Sequence, residues 1–136
     1  MGNLFDKTTL ALAASANLRQ LRHSVTATNI ANAETPGFVA KKVDFEDALA
    51  RALGVEGMNT PEGSQPEHFS MGTGAISKTK ADVYDNPDVS KNNDGNTVDL
   101  EREMSNLAEN SIMYKAAVQL INKKMAALKY AVSGER

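Results

Sequence analysis

Two stretches, one at each end of the chain, space their apolar residues alternately three and four positions apart, which puts those residues on one stripe of an α-helix. The C-terminal stripe runs through Leu100, Met104, Leu107, Ser111, Tyr114, Val118, Ile121, Met125, Leu128 and Val132 without a break in the alternation. The N-terminal stripe runs through Leu4, Lys7, Ala11, Ala14, Leu18, Leu21, Val25 and Thr28, and only Lys7 sits badly on it. The spacing predicts a helix over 5–32 and a second over 100–132, the latter roughly 50 Å long at the α-helical rise. Asn3 or Asp6 is placed to cap the first helix, and Pro36-Gly37 ends it. Asn96 or Thr97 is the expected cap of the second. Asp99 and Glu101 add negative charge to its first turn, and Ser133-Gly134 supplies the stop.

Between the two stripes the pattern changes. Gly57, Pro61, Gly63, Pro66, Gly72, Gly74 and Pro87 break the segment 38–95 into short pieces, a composition of turns and loops. Phe45, Ala48, Leu49 and Ala52 recur at helical spacing ahead of Gly54, so a short helix is predicted over 43–53. Ala75-Ile76-Ser77 and Asp82-Val83-Tyr84 are the only strand seeds for a short β-hairpin, and 58–74 reads as flexible or extended. The expected fold is mainly α. Long N- and C-terminal helices, within 1–37 and 96–136, form one discontinuous coiled-coil domain, and 38–95 is an irregular middle insertion.

Such a chain is short of bulk for a core. Hydrophobic residues make up 41% of the 136, but there is no tryptophan and aromatics are 5%, so two helices and a loop-rich insertion cannot cover all the apolar surface. Leu10, Leu12, Leu53, Ile112, Leu120 and Tyr130 fall off the two stripes and need cover from elsewhere. Alanines at 13, 14, 16, 116, 117, 126 and 127 let helix axes approach closely. The expected use of these surfaces is packing against neighbouring subunits.

Other functions find little support. A net charge of −2 provides no basic field for a nucleic acid. Without cysteine there are no disulfides or thiolate metal sites, and no run of apolar residues is long enough to span a membrane. The first residues lack the basic and apolar regions of a cleaved secretory signal. Ser90, Asn92, Asp94, Gly95 and Glu101 partly follow a calcium-loop template, but serine replaces the first carboxylate and Val98 occupies the ninth position, so a polar turn leading into a capped helix is the simpler reading. His23 and His68 are 45 positions apart, Asp44, Glu46 and Asp47 read as a solvated helix face, and no glycine-rich phosphate loop occurs. Lys41-Lys42 and Lys123-Lys124 read as solvated pairs. No catalytic residue, metal or cofactor is expected.

The string Thr28-Asn29-Ile30-Ala31-Asn32-Ala33-Glu34-Thr35-Pro36-Gly37-Phe38 resembles the N-terminal signature of the bacterial flagellar rod, hook and hook-associated axial proteins. Asparagines end a helix by bonding backbone groups, Thr-Pro-Gly turns the chain, and the aromatic anchors the exit. The run from Asp94 to Met104, continued by Leu107-Ala108-Glu109-Asn110 and Tyr114, is similar to the C-terminal segment of the family's short proximal-rod members. The likeness covers 4–45 and 94–133. Phe38 stands where many relatives carry tyrosine. The resemblance implies a subunit of the inner coiled-coil layer of a hollow helical rod that crosses the periplasm and transmits torque. It also implies export by the flagellar type III apparatus without a cleaved signal peptide. The implied partners are copies of the chain itself, other rod proteins and the membrane-ring or export-gate adaptor at the rod base. The motif residues are Asn29, Ala31, Asn32, Thr35, Pro36, Gly37 and Phe38. The alternatives are another short proximal rod subunit, or a soluble helical-hairpin adaptor or export chaperone that folds stably on its own.

Overall fold

The computed structural model describes residues 7–53 and 81–134. Its elements are α1 (Lys7–Ala31), β1 (Lys41–Val43), α2 (Phe45–Leu53), β2 (Val83–Asp85) and α3 (Leu100–Ser133). The protein is mainly α, as the periodicity predicts, with long N- and C-terminal helices and a two-stranded antiparallel sheet between them. Leu4, the caps Asn3 and Asp6, the strand seed at 75–77 and the stretch 58–74 lie outside the described residues.

α1 and α3 pack along one another. Asn29 near the end of α1 bonds Glu103 near the start of α3, whereas Arg19, ten residues earlier, is bonded from Asn110, seven residues later, so the helices are antiparallel. At 1.5 Å per residue α3, with 34 residues, is about 51 Å long and α1, with 25, about 37 Å.

α3 begins at Asp99, whose carboxylate accepts the Arg102 backbone N–H at 3.1 Å, and it ends on Gly134 in the left-handed conformation at φ 58°. The N-cap is therefore Asp99 rather than Asn96 or Thr97. All three residue types can cap a helix, but the side chains of Asn96 and Thr97 are already bonded elsewhere, which leaves Asp99 for the helix. The predicted stop at Ser133-Gly134 is where α3 ends.

α1 closes in a tightened turn. The Asn32 N–H reaches both the Thr28 and Asn29 carbonyls, the Asn32 side chain donates to the Thr28 carbonyl at 2.8 Å, and the Thr35 N–H donates back to the Asn32 carbonyl. Gly37, at φ 71°, then reverses the chain in a conformation that costs a side-chain-bearing residue. β1 pairs with β2 in the register Lys41↔Asp85, Lys42↔Tyr84, Val43↔Val83. Lys41–Asp85 and Lys42–Asp88 ion pairs flank the pair on its exposed side.

The core is thin. Of the nine buried apolar residues among those described, five are alanine (14, 16, 40, 48 and 117) and the others are Leu18, Val43, Phe45 and Val98. The one cluster with bulk joins Leu18 of α1 to Phe45 and Ala48 of α2, with Leu49 and Ala81 packed on it. Arg19 and Arg22 hold their guanidinium carbons 4.7 and 4.4 Å from the Phe45 ring centre, so the aromatic is buried beneath two cations. Burial, followed by the neighbouring Arg22 cation, lowers the Arg19 pKa from its ordinary value, while Glu109 and Glu46 oppose the shift.

Candidate functional site

Two features stand out: a buried polar clasp where the two halves of the chain meet, and the apolar faces of α3. The clasp is built on Asn29 and Asn96, the largest fully buried side chains among the described residues. Asn29 extends from the last turns of α1 to β1, donating from Nδ2 to the Lys41 carbonyl at 2.8 Å and accepting the Lys41 N–H at 2.9 Å. Its amide thus stands in for one residue of a strand partner. Nδ2 also donates to Glu103 Oε2 at 3.1 Å, which pairs a carboxylate that is only 8% exposed.

Asn96 works from the other side. Its Nδ2 donates to the carbonyls of Asn32 at 2.9 Å and Thr35 at 2.7 Å, and its Oδ1 accepts the Val98 N–H at 2.7 Å. The Thr97 hydroxyl accepts the Ala40 N–H at 2.8 Å, and the Thr97 N–H donates to the Phe38 carbonyl. The Gly37 N–H donates to the Asp94 carbonyl, and an ideal Cβ on Gly95 would lie 3.5 Å from the Gly37 Cα. The turn that follows α1 is therefore stitched to the segment that precedes α3, about 60 residues further along the chain.

Three residues of the partial calcium template, Asn92, Asp94 and Gly95, are used within this clasp. Asp94 Oδ1 accepts the Asn96 N–H, the Gly95 N–H donates to the Asn92 carbonyl, and the Asn92 N–H donates to the Asn96 carbonyl, which makes a turn closed on itself. Among the described residues no group of three or more His, Cys, Asp or Glu side chains is placed to hold a metal ion, and no helix is long and apolar enough to cross a membrane.

Of the motif positions, Asn29 is buried, Asn32 and Phe38 are half-buried, and Thr35, Pro36 and Gly37 are exposed, as is Ala31. On the α1 stripe Ala14 and Leu18 are buried and Ala11, Leu21 and Val25 half-buried. On the α3 stripe Leu107, Val118, Ile121, Met125 and Leu128 are half-buried, while Leu100, Met104, Tyr114 and Val132 are exposed. The fully buried residues of α3 are Glu103, Asn110 and Ala117, seven apart, on the flank of the stripe. Apolar counting passes over this row because two of its members are polar. A heptad row of polar and small residues beside the stripe was the signal available to find them.

α3 also carries apolar residues on the side facing away from α1. Ile112, Leu120 and Tyr130 are exposed there, Ile112 at 68% and Tyr130 at 67%, with Ala116 and Ala127 between them. The outer side of α3 thus carries exposed apolar side chains among polar ones such as Gln119 and Lys123.

No family model matches the chain. Curated proteins do. The chain is 35% identical over 132 residues to the flagellar basal body rod protein FlgB of Aeromonas hydrophila, covering 97% of each. It is 38% identical over 118 residues to FlgB of Cereibacter sphaeroides (87% of this chain and 88% of the relative), and 30% identical over 136 residues to FlgB of Bacillus subtilis (97% and 98%). Matches of this identity over 87–98% of both chains place the chain in the FlgB family of flagellar basal body rod proteins.

Proposed function

We propose that the chain is a non-catalytic structural subunit that assembles, with copies of itself and with other rod proteins, into the hollow helical shaft that transmits torque across the periplasm. In this reading 1–37 and 96–136 form the assembly domain, 38–95 is an insertion on its flank, and the chain arrives by the flagellar type III apparatus without a cleaved signal. An adaptor of the membrane ring or export gate meets the shaft at its base. The observation that carries the reading is the pair of opposed apolar faces on α3, of which α1 covers one and leaves Ile112, Leu120 and Tyr130 in water. The seam residues, Ala11, Ala14, Leu18, Leu21 and Val25 on α1 and the 100–132 stripe on α3, then contribute to contacts between subunits as well as within one. Contacts of this heterologous kind, repeated with a rotation that does not close, generate a tube.

Amide hydrogen exchange on the dilute chain tests the reading. Rapid exchange over 112–132, slowing as the protein is concentrated into sedimenting assemblies, is the expected result. Strong protection of that stretch in a dilute monomer would instead favour a self-sufficient helical-hairpin adaptor.

A further inference from the structure

The buried row on α3 is the less obvious choice of face. Successive residues of a helix are about 100° apart, so the row Glu103, Asn110, Ala117 and the row Met104, Ser111, Val118, Met125 flank the shared row Leu107, Tyr114, Ile121, Leu128 on opposite sides. A contact centred between the shared row and the 103 row is turned by about 50° from one centred between the shared row and the 104 row. The second face is the more apolar, yet the first is the one buried. Met104 is left 57% exposed while Glu103 is 8% and Asn110 4% exposed.

Two polar contacts hold the helix in this orientation. Glu103 is tied to Asn29 within the clasp, which fixes the first turn. Two turns further on, Asn110 Nδ2 donates to the Arg19 carbonyl of α1 at 2.8 Å, while its Oδ1 is buried and accepts no hydrogen bond from the described residues. The amide is thus half-satisfied, and a buried unpaired acceptor costs free energy relative to an apolar side chain of similar size. Simple helix packing would remove this residue rather than place it at the interface.

We infer that Asn110 is a phase-setting residue: through the Arg19 carbonyl it holds α3 rotated away from the orientation that its apolar residues favour, which keeps the Met104 side of the stripe on the outer surface. Its neighbours follow from the same rotation. Ser111 and Val118 are half-buried rather than central, and the outer row from Ile112 to Tyr130 stays clear of α1. Without the pin, α3 turns Met104 towards α1 and the single chain becomes more self-contained. The inference concerns the free chain and stands whether or not the assembled shaft has the form proposed above.

The chain has no cysteine, so one introduced thiol reports one position. The full-length protein carrying Met104→Cys is alkylated in dilute solution and compared with the same protein carrying Ile112→Cys, a position that is also exposed and lies on the opposite side of α3 from the Leu107 and Asn110 rows. Adding Asn110→Ala, which removes the pin and has no strong preference for either face, is expected to lower the ratio of the alkylation rate at position 104 to that at position 112 about fivefold. Adding Asn110→Leu, which keeps an inward preference without the amide, is expected to leave the ratio within about twofold of the parent. A ratio unchanged by Asn110→Ala overturns the inference. So does loss of the helical circular dichroism signal in that variant, because a half-satisfied amide whose removal unfolds the chain is a net stability anchor and not a device for orientation.

Discussion

Replacing Asn96 with alanine tests how much of the fold depends on the clasp. The side chain makes three bonds to backbone groups, but the three losses are unequal. The Asn32 carbonyl also accepts the Thr35 N–H, and the Thr35 carbonyl also accepts the Phe38 N–H, so each keeps a partner. These two losses are each worth about 0.5–1 kcal/mol. The Val98 N–H is buried and its acceptor is Asn96 Oδ1, so it is left unpaired at about 1–3 kcal/mol. The sum is about 2–5 kcal/mol, a drop in Tm of roughly 7–17 °C for a chain of this size. Asn96→Asp is expected to do at least as much harm, because it turns the donor of two bonds into an acceptor facing two carbonyl oxygens. Urea unfolding followed by circular dichroism gives the free energies, with Asn93→Ala, an exposed neighbour, as the control expected within about 0.5 kcal/mol of the parent. A loss below about 1 kcal/mol for Asn96→Ala would mean that the stitched turn does not hold the two halves together, and the reasoning fails.

Gly95 sits at φ 80° and Gly37 at φ 71°, and an added Cβ meets the Gly37 backbone at ordinary contact distance in the first case and nothing in the second, so Gly95→Ala and Gly37→Ala are each expected to cost about 1–2 kcal/mol in the same urea experiment, from the left-handed backbone alone. Phe45→Ala removes the largest side chain of the apolar cluster and is expected to cost about 3–4 kcal/mol. Glu46→Ala, which only loses a bridge to Arg22 from a carboxylate that is 78% exposed, should change stability by less than about 0.5 kcal/mol; near-equal effects of these two variants would refute the ranking of burial over surface charge.

The long helices were legible because their signal is periodic and extends over many residues, and the stop at Gly134 was legible because a glycine after the last periodic residue has one local explanation. The start of α3 was not. Asn96, Thr97 and Asp99 all belong to the chemical class that caps helices, and the choice among them is made by Asn32, Thr35 and Ala40, about 60 residues away, which engage the first two. The motif turn was legible as a turn, but Asn29 spanning α1, β1 and Glu103 was not, since no local pattern encodes a bond 74 residues long in sequence. The orientation of α3 was hidden for a related reason. Counting apolar positions identifies the stripe to within one row, and the remaining rotation is fixed by two polar residues that such counting discards. The short helix predicted over 43–53 appears as α2 from Phe45, preceded by the strand that takes Val43.

The pairing of β1 with β2 has a consequence for the history of such chains. Val43 and Val83 are register partners and the Asp44 N–H donates to the Asp82 carbonyl, so the polypeptide that leaves the helical body at one point re-enters it at the same point. Between those residues α2 packs on α1 through Phe45 and Ala48, and Ala81 packs on the same cluster, so a change of chain length that spares this packing falls after α2 and before Ala81. Lengthening the chain there costs the body only the slowly growing entropy of closing a larger loop. A gene could therefore gain or lose residues there without disturbing the packing of α1 against α3 or of α2 against α1, which makes it the place where a change of length costs the helical body least.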